Sequence, residues 1–592
     1  MNELADPQRI RASRSMCELF QRTVAAAPQR VALRDADGTV SITWAEYGQR
    51  VRSLAAGLAS LGVGHGDPVG LMLANRPEFH LVDTAAFHLG ATPFSIYNTS
   101  APEQIAYLLK NAGCRVLVTE QQFFDKVGAA ACGTAVEHLV LVDGTAEDAI
   151  TLDDLASAGD EGFDFEAAWR AVAPDDVLTL IYTSGTTGPP KGVEMTHGGM
   201  VSAVSNVAEQ VAGRPVERLV SYLPDAHAAN RGYSHYASMI SAATITTVAD
   251  AKKLVATLPQ VRPSIFLGVP TLWYKIKAAI ESAVDSQPAL RRGVAQWAIA
   301  QGRARVRTGK TGWRHATADR LVLSGLRKRI GLDDLALAFT GAAPIAEDTL
   351  EFVLALGIPC SEIWGMSEVA IATANPVDDL RIGTVGKPLP GVQLALADDG
   401  ELLVRSPGVM RGYRGDPEKT AETLDAEGWL HTGDIGTIDP DGWVRIVDRK
   451  KELIINAAGK NMSPSNIEGH VKAASPLVGH VAAIGDRRPY VVALVTLDAE
   501  AAAAFARAHG LAAEPAVLAK DPRLTEQIGQ AVREANAKLS RVEQIKNFAV
   551  LPDCWQPGSE VLTPTMKLRR KPIAERYAGE IDALYRSAAR SG

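Results

Sequence analysis

Apolar positions in the first part of the chain recur with two spacings, one helical and one extended. From Trp44 to Leu61 they return every three or four residues, which places them on one face of a helix. Thr43 and Glu46 form a capping box at its start, and Gly62 suits its end. The pattern therefore predicts an amphipathic helix between Thr43 and Gly62.

Short apolar runs typical of buried strands alternate with such helical stretches over the first two-thirds of the chain. This alternation predicts parallel sheets covered by helices, which is an α/β fold. The predicted elements are strands at 68–73, 114–119, 138–142, 245–248, 264–269 and 335–339 and a helix at 102–111.

The pattern changes in the last third of the chain. Residues 401–405 and 443–447 are predicted strands around Gly and Asp turns, and a charged run follows at 448–452. By composition alone this run is a solvated turn. The alternative is a hinge, whose exposed residues change φ and ψ as two domains move.

Beyond the charged run the sequence predicts a smaller α+β domain. Residues 481–484 and 490–497 form a predicted hairpin. One face of an amphipathic helix is marked by Ile528, Val532, Ala535 and Leu539. We place the boundary within 448–451, which divides the chain into residues 1–448 and 449–592.

Length and composition limit the classes of protein to which the chain can belong. A chain of 592 residues is too long for one core and predicts two or more domains. The net charge of −7 is mild and indicates no surface for nucleic acid or for an anionic membrane. The 5 cysteines lie far apart without a Cys-x-x-Cys pair, so neither a disulfide framework nor a zinc site is expected. With no secretory signal and no apolar run long enough to span a bilayer, a cytoplasmic location is expected.

The most informative segment is 182–193, Tyr-Thr-Ser-Gly-Thr-Thr-Gly-Pro-Pro-Lys-Gly-Val, which follows an apolar run. A strand that opens into such a loop presents backbone N–H groups, hydroxyls and one cation to an anion, and a polyphosphate suits it. The order differs from the P-loop of ordinary NTPases, because Pro190 precedes Lys191 and Gly192 follows it. The alternative is a surface loop rich in Gly, Thr and Pro.

Three further segments carry nucleotide chemistry. Glu362-Ile363-Trp364-Gly365-Met366-Ser367-Glu368 offers an aromatic ring that can stack on adenine, and then a hydroxyl and a carboxylate suited to Mg²⁺. The alternative for this segment is a helix start with a buried Trp and an exposed Glu. The small residues of 340–344 let a flat base approach the backbone. The segment 429–434 ends in Asp434, and a carboxylate can accept both ribose hydroxyls, as acidic residues do in other nucleotide sites.

Taken together, these segments resemble the adenylate-forming enzymes, which include acyl-CoA synthetases, firefly-type luciferases and peptide-synthetase adenylation domains. The resemblance runs from about residue 15 to about residue 578 and is closest to the long-chain fatty acid–CoA ligases. The segments 262–270, 448–454 and 563–567 carry that closer likeness. It implies a large N-terminal domain with mostly parallel sheets and a small barrel-like part, and a mobile C-terminal α+β domain.

The resemblance implies ATP, Mg²⁺ and CoA as cofactor and co-substrates. The implied phosphate-loop residues are Thr183, Ser184, Gly185, Thr186, Gly188 and Lys191, with Thr187 among the catalytic residues. The implied adenine-pocket residues are Gly341, Ala342, Ala343, Pro344, Glu362, Trp364, Gly365, Met366 and Ser367. Thr186 and Glu368 are implied metal ligands, and Asp434 is the implied ribose ligand.

Four more positions take implied roles in catalysis and domain movement. Lys567 would bridge the substrate carboxylate and the α-phosphate, and Arg449 would contact ribose or phosphate. His227 would lie at the mouth of the acyl pocket, although a structural histidine is an equal alternative. The C-terminal domain would pivot about Lys451 and bring the loop of Gly459 to the CoA channel. Many relatives have Gly where Met566 precedes the lysine, and the role of Glu468 stays open.

The implied reaction activates a long-chain fatty acid as an acyl-adenylate and transfers the acyl group to CoA. Three alternatives stay open: an acyl-AMP ligase that loads a carrier protein, a catalytically silent lipid-sensing relative, and an ordinary P-loop NTPase. No nucleic-acid partner and no transmembrane segment are expected. Peripheral membrane contact and a homodimer are both compatible with the sequence.

Overall fold

The computed structural model describes residues 3–183, 189–211, 214–457 and 460–588. Sheets with packed helices build the larger N-terminal part. Its helices are Pro7–Arg11, Met16–Ala26, Trp44–Ser60, Pro77–His88, Pro102–Ala112, Phe124–Ala131, Leu152–Ser157, Phe165–Ala171, His197–Gln210, Ala228–Asn230, Arg231–Tyr236, Leu254–Val261, Pro270–Asp285, Ala289–Thr308, Trp313–Ala318, Asp319–Leu323, Ser324–Arg329, Glu347–Ala355 and Pro417–Thr423. Short 3₁₀ turns occur at Glu3–Ala5, Gln121–Phe123 and Ala251–Lys253.

The helix predicted from the capping box is confirmed as Trp44–Ser60. The Thr43 hydroxyl accepts a hydrogen bond from the Glu46 amide at 3.2 Å, and the Glu46 carboxylate accepts one from the Thr43 amide at 2.8 Å. Gly62 has φ +78°, which lets the chain turn away at the end of the helix.

An eight-stranded sheet holds the predicted phosphate loop. In spatial order its strands are Gly412–Tyr413, Lys191–Thr196, Val177–Thr183, Thr92–Ser95, Pro68–Met72, Val116–Thr119, His138–Leu141 and Ile150–Thr151. The last six of these pair in parallel, and the first three pair with one another antiparallel. The strands predicted at 68–73, 114–119 and 138–142 are therefore confirmed with slightly shorter bounds.

Two further sheets complete the predicted α/β pattern. The strands of the four-stranded sheet are, in order, Arg218–Ser221, Thr244–Thr247, Val31–Asp35 and Ser41–Thr43. Those of the five-stranded sheet are Ile265–Leu267, Leu337–Thr340, Cys360–Met366, Ala370–Ala374 and Lys387–Pro388. In the five-stranded sheet the first three strands are parallel, so their carboxyl ends lie at the same end of the sheet. The adenine segments 340–344 and 362–368 include the carboxyl ends of the second and third of these strands.

A small antiparallel sheet lies where the barrel-like part is expected. Its strands are Gln393–Leu396, Glu401–Arg405, Leu430–Ile438 and Val444–Arg449. The last strand contains Asp448 and ends at Arg449, inside the run expected to hold the domain boundary. The boundary itself stays a prediction.

The C-terminal α+β part is a sheet with both faces covered. Val478–Ile484 pairs antiparallel with Val491–Leu497, which pairs in parallel with Ile545–Val550. In the central strand, alternate residues face opposite sides: Val491, Ala493 and Val495 join one core cluster, and Val492 and Leu494 join the other. The strand Ile454–Ile455 pairs with Asn461–Met462, and the helices of this part are Pro464–Ala474, Ala499–His509, Pro515–Leu518, Pro522–Asn536, Arg570–Arg576 and Ala578–Ala588.

The predicted hairpin and helix of the C-terminal part are confirmed, with one difference. Leu539 is buried in the same core as Ile528 and Val532, but it lies beyond the end of the helix at Asn536. None of the helices in the described residues combines the length and the apolar character needed to cross a membrane.

Candidate active site

The predicted phosphate loop connects two antiparallel strands of the eight-stranded sheet. Thr183 is the last residue of one strand and lies opposite Lys191, the first residue of the next. Both line a cavity of about 2510 Å³. Ser184, Gly185, Thr186, Thr187 and Gly188 lie outside the described residues, so their assigned roles stay predictions.

Tyr413 contacts both Lys191, a predicted phosphate-loop residue, and Glu368, a predicted metal ligand. It lies on the edge strand beside Lys191–Thr196, and the Lys191 ammonium is 4.7 Å from the centroid of its ring. Its hydroxyl donates a hydrogen bond of 2.9 Å to Oε1 of the buried Glu368. Tyr413 was missed by sequence reasoning, because its neighbours are distant in sequence and only the antiparallel pairing brings them together.

Ammonium groups collect at this end of the cavity. Burial lowers the pKa of Lys191; Lys419 and, more weakly, Lys451 lower it further, while Glu368 opposes them. Lys419 was not singled out from the sequence. Lys419 is paired with Glu422, whereas Lys191 has no ion-pair partner among the described residues. A polyphosphate anion would offset the remaining repulsion between these cations.

The adenine segment presents open backbone to the cavity. A Cβ atom at Gly341 would lie 2.8 Å from Cγ1 and 2.9 Å from the carbonyl oxygen of Ile363, so only glycine fits there. Ala342 has φ +66°, in the left-handed region that non-glycine residues rarely adopt. Ala343 and Pro344 also line the cavity. A turn held this way exposes peptide groups against which a flat base can lie.

Trp364, Asp434 and Arg449 form one linked group. The indole N–H of Trp364 donates to Oδ2 of Asp434 at 2.8 Å, and Nε of Arg449 lies 2.9 Å from Oδ1. Asp434 and Arg449 are direct partners across the antiparallel strands Leu430–Ile438 and Val444–Arg449. Burial has the largest single effect on the pKa of Arg449 and lowers it, but Asp434, Glu368, Glu452 and Asp448 together outweigh burial and raise the pKa. The guanidinium is therefore a permanent cation beside the predicted ribose ligand.

Glu362 is a buried acid at the end of the adenine pocket. Burial, and then the charge of Glu347, raises its pKa to about 8, although Arg445 acts in the other direction. It is therefore mostly protonated at neutral pH, and a carboxylic acid can both donate and accept a hydrogen bond. Met366 and Ser367 line the same cavity. At Gly365 a Cβ atom would lie 1.9 Å from the carbonyl oxygen of Ala370, so the strand tolerates no side chain there.

His227 faces the cavity as a neutral imidazole. Burial, with a contribution from the Lys567 ammonium, lowers its pKa to about 4. Nδ1 accepts a hydrogen bond from the Ala229 amide at 3.0 Å. Because Nδ1 is the acceptor, the proton of the neutral ring is on Nε2, which is then a hydrogen-bond donor.

Lys567 is held in a tight turn at the same cavity. The Thr563 hydroxyl accepts from the Lys567 amide at 2.9 Å, and the Thr563 amide donates to the Lys567 carbonyl at 2.8 Å. Met566 has φ +65°, in the left-handed region that favours glycine. Burial and then Arg449 lower the pKa of Lys567, while Asp434, Glu452 and Glu368 oppose them. Lys567 is thus brought together with four other predicted site residues, Arg449, Asp434, Glu368 and His227.

The role of Glu468, open from the sequence, follows from its contacts. Its two carboxylate oxygens lie 2.6 and 3.1 Å from Nη1 and Nη2 of Arg570. Oε1 also accepts from the Ala483 amide at 2.9 Å. Arg570 begins the helix that follows Lys567 and also contacts Glu452 at 3.4 Å. Glu468 therefore anchors the turn of Lys567 to the C-terminal sheet.

Asp448 joins the two sides of the expected hinge. It accepts hydrogen bonds from the hydroxyl of Ser463 at 2.5 Å and from the amide and hydroxyl of Ser465 at 3.1 and 3.2 Å. Ser463 is the N-cap of Pro464–Ala474. Lys451 is exposed beside this contact, and Gly459 lies outside the described residues.

The cavity wall also contains apolar side chains. They include Met200, Val204, Val207, Ile265, Leu267 and Phe339. These side chains come from the helix that follows the phosphate-loop strands and from two strands of the five-stranded sheet. The cavity that His227 lines can therefore also hold a hydrocarbon group.

Family comparisons cover both parts of the chain. Residues 20–414 match the family described as AMP-binding enzyme, and residues 451–589 match the AMP-binding enzyme C-terminal domain. The chain is 50% identical over 454 residues to the putative fatty-acid–CoA ligase fadD11 of Mycobacterium tuberculosis, covering 74% of this chain and 79% of that protein. It is 35% identical over 556 residues to the long-chain-fatty-acid–CoA ligase FadD15 of the same organism, covering 92% of each.

Solved structures share the fold. The anthranilate CoA ligase AuaEII in complex with anthranoyl-AMP has a TM-score of 0.72 at 20% identity, covering 96% of this chain and 98% of that chain. The adenylation domain of a carboxylate reductase from Mycobacterium chelonae has a TM-score of 0.75 at 20% identity, covering 99% and 94%. At this level of identity the likeness concerns the fold.

Proposed function

The chain belongs to the AMP-binding enzyme family, and we propose that it is an AMP-forming ligase that joins a long-chain fatty acid to CoA. The names of its relatives support the substrate class. One observation carries the proposal: Lys567, from the C-terminal part, lines the same cavity as His227, Glu368 and Asp434, and apolar side chains also line this cavity. A cytoplasmic location is part of the proposal, because ATP and CoA are the co-substrates.

In the first half-reaction a carboxylate oxygen attacks the α-phosphorus of ATP, and the bond to pyrophosphate breaks. The substrate carboxylate and the α-phosphate both carry negative charge, so a cation between them lowers the barrier. Lys567 supplies this cation, and the Nε2–H of His227 supplies a hydrogen bond to the carboxylate. Lys191 and Lys419 hold the departing pyrophosphate.

Glu368 fits a role in binding Mg²⁺, together with the hydroxyl of Thr186. Tyr413 fixes Oε1 of Glu368, and Oε2 receives no hydrogen bond from the described residues. No three His, Cys, Asp or Glu side chains within the described ranges group as a protein-only metal site. Mg²⁺ commonly keeps one or two carboxylates and takes its other oxygens from phosphates and water, where it neutralises phosphate charge.

In the second half-reaction the CoA thiolate attacks the acyl carbonyl carbon, and AMP leaves with the electron pair of the broken bond. The C-terminal part turns about Lys451, which withdraws Lys567 and brings in the loop of Gly459. Asp448 contacts Ser463 and Ser465 in the conformation described above. These hydrogen bonds would help to hold the adenylate-forming arrangement.

The test is a panel of carboxylates from short to very long, each incubated with ATP and with or without CoA. AMP release and the identity of the product are measured. The proposal predicts acyl-CoA and AMP from long-chain acids. Acyl-adenylate that does not react with CoA but loads a carrier protein would instead identify an acyl-AMP ligase. ADP as the product, or no nucleotide turnover with any acid, would overturn the proposal.

A further inference from the structure

A helical hairpin at residues 289–329 projects basic side chains that no site described above uses. It consists of Ala289–Thr308 and, after a short turn, of Trp313–Ala318, Asp319–Leu323 and Ser324–Arg329. The two arms pack against each other. We refer to residues 289–329 as the basic hairpin.

The charge of the basic hairpin is opposite to that of the rest of the chain. It contains 11 Lys and Arg residues and 1 acidic residue, Asp319. Removing these from the chain totals of 61 and 68 leaves 50 basic and 67 acidic residues elsewhere. The mild overall charge therefore conceals a strongly basic region on an acidic protein.

Most of these cations have no ion-pair partner in the described part of the protein. Arg303 and Arg307 pair with acids of Glu347–Ala355, and Arg327 pairs with Asp319. The other eight form no ion pair with the residues that the structure describes; they are Arg291, Arg292, Arg305, Lys310, Arg314, Arg320, Lys328 and Arg329. All of them except the half-buried Arg305 are exposed, so the charge of these seven is available to an external anion.

The same hairpin exposes large apolar side chains. Leu290 is 83% exposed, Trp313 is 75% exposed and Leu321 is 66% exposed, the three highest values for large hydrophobic residues in the described chain. Val294, one helical turn after Leu290, is 40% exposed. The Arg314 guanidinium lies 5.5 Å from the centroid of the Trp313 ring, so cation and aromatic group are adjacent.

We propose that the basic hairpin docks on an anionic lipid bilayer. Basic residues interleaved with Trp and Leu are typical of helices that lie at a membrane interface. The cations would meet lipid phosphates, and Leu290, Trp313 and Leu321 would enter the boundary between headgroups and acyl chains. Within the described part of the protein, most of these cations have no ion-pair partner and no other element covers these apolar side chains.

Two other partners fit the pattern less well. Nucleic acid would neutralise the arginines, but it would leave the exposed Leu290 and Leu321 in water. A second copy of this chain would bring two equally basic surfaces together in a twofold contact, which charge repulsion disfavours. An anionic bilayer accommodates both the charge and the apolar groups.

The hairpin also forms part of the wall of the active-site cavity, through Arg305, Val306 and Gly309. Docking would therefore bring one wall of this cavity to the membrane surface. If the ligand is a long-chain acid, a substrate that partitions into lipid is supplied there. This last step rests on the proposed function, whereas docking itself does not.

Flotation of the full-length protein with lipid vesicles tests the proposal. Vesicles of phosphatidylcholine alone are compared with vesicles containing about one third phosphatidylglycerol. We expect binding to the anionic vesicles only, decreasing as salt rises from about 0.1 M to about 1 M, where the Debye length falls from ~10 Å to ~3 Å. Equal binding to both kinds of vesicle, or binding to neither, would overturn the proposal.

Substitutions distinguish vesicle binding through the basic hairpin from an effect of the protein's net charge. Arg291→Gln, Arg292→Gln, Arg314→Gln and Arg320→Gln combined should weaken anionic-vesicle binding by at least about tenfold. The matched control combines Arg50→Gln, Lys520→Gln, Arg541→Gln and Lys571→Gln, which change the net charge equally at positions outside the hairpin. The control should bind as the unmodified protein does. Equal loss in both combinations would contradict the assignment to the hairpin.

Trp313→Ser tests the apolar contribution, because it leaves the charge unchanged. It should weaken vesicle binding severalfold without changing binding to a short single-stranded RNA. The protein could instead bind this RNA more tightly than the anionic vesicles, with Trp313→Ser changing neither affinity. That result would point to nucleic acid and overturn the proposal. AMP release with a water-soluble acid, measured for every variant, verifies folding. It also separates failure of docking from failure of the proposed function.

Discussion

The indole nitrogen of Trp364 lies 2.8 Å from Oδ2 of Asp434, while Arg449 lies against the other oxygen of that carboxylate. The hydrogen bond fixes the orientation of the ring and joins the adenine segment to the strand of the predicted ribose ligand. The two residues are 70 positions apart and come from different sheets.

Replacing Trp364 with Phe should raise the KM for ATP by about fivefold, because a ring remains but the hydrogen bond of about 1 kcal/mol to Asp434 is lost. Steady-state AMP release at varied ATP concentration measures this change. Trp364→Tyr is the matched control, since its hydroxyl keeps a polar group on the ring, and its effect should be smaller. A Phe variant with unchanged KM would show that the Asp434 contact does not assist nucleotide binding.

Lys567→Ala should reduce adenylate formation by about 10²-fold or more, because the cation between carboxylate and α-phosphate is lost. Pyrophosphate release in the absence of CoA measures the first half-reaction. Thioester formation from supplied acyl-AMP should be nearly unaffected. Lys571→Ala removes an exposed ammonium four residues further on and should leave both steps intact. Equal losses in both half-reactions would remove Lys567 from its assigned role.

Glu468→Ala should lower the free energy of unfolding of the C-terminal part by about 3 kcal/mol, because it leaves Arg570 without its two-pronged partner. Amide hydrogen exchange of the C-terminal core, which includes Val492, Leu494 and Trp555, measures the change at increasing denaturant concentration. Adenylate formation should fall with it, since the turn of Lys567 is anchored through Arg570. Glu580→Ala, an exposed acid in the last helix, is the control. A variant as stable as the control would contradict the anchoring role.

Substitutions of Met566 test whether the turn before Lys567 requires a left-handed backbone conformation. Met566→Gly should keep or increase the rate of adenylate formation, because glycine adopts the φ of +65° found there without steric cost. Met566→Val should lower the rate severalfold, because a β-branched side chain disfavours that conformation. Single-turnover pyrophosphate release compares the two. The explanation fails if Gly and Val have the same effect.

Asp225 should make stability depend on pH. It is buried, accepts a hydrogen bond from Asn230 at 2.6 Å, and burial raises its pKa to about 8. In the unfolded chain its pKa is about 4, so between these values the folded state binds the additional proton. Its contribution to stability is therefore complete below about pH 4 and is lost as pH rises towards 8.

Asp225→Asn removes this titration. Urea unfolding at several values between about pH 5 and pH 8 should give a shallower loss of stability with rising pH than in the unmodified protein, by up to about 1 kcal/mol per pH unit. Asp37→Asn, at an exposed position, should leave the slope unchanged. Glu362 has a pKa raised in the same direction but is present in all three proteins, so the difference isolates Asp225. Parallel slopes for the Asp225→Asn variant and the unmodified protein would contradict the assignment.

Much of the local structure could be predicted from the sequence alone. The helix after Thr43 and the strand at Glu401–Arg405 follow from side-chain periodicity, capping and turn residues, which act over a few positions. The nucleotide segments could also be found, because each is a contiguous run whose residue types suit phosphate or adenine. These signals are local, so a single sequence contains them.

The contacts between distant residues were decided only by the tertiary structure. Tyr413 meets Lys191 and Glu368 because an edge strand pairs with the strand after the phosphate loop, and Glu468 meets Arg570 across the C-terminal part. The basic residues of the hairpin could be counted from the sequence, but the net charge of −7 does not reveal them, because acidic residues elsewhere in the chain outweigh them. Its exposed Leu290 and Trp313 became visible only in the fold, because periodicity indicates which positions share a face and not whether another element covers that face.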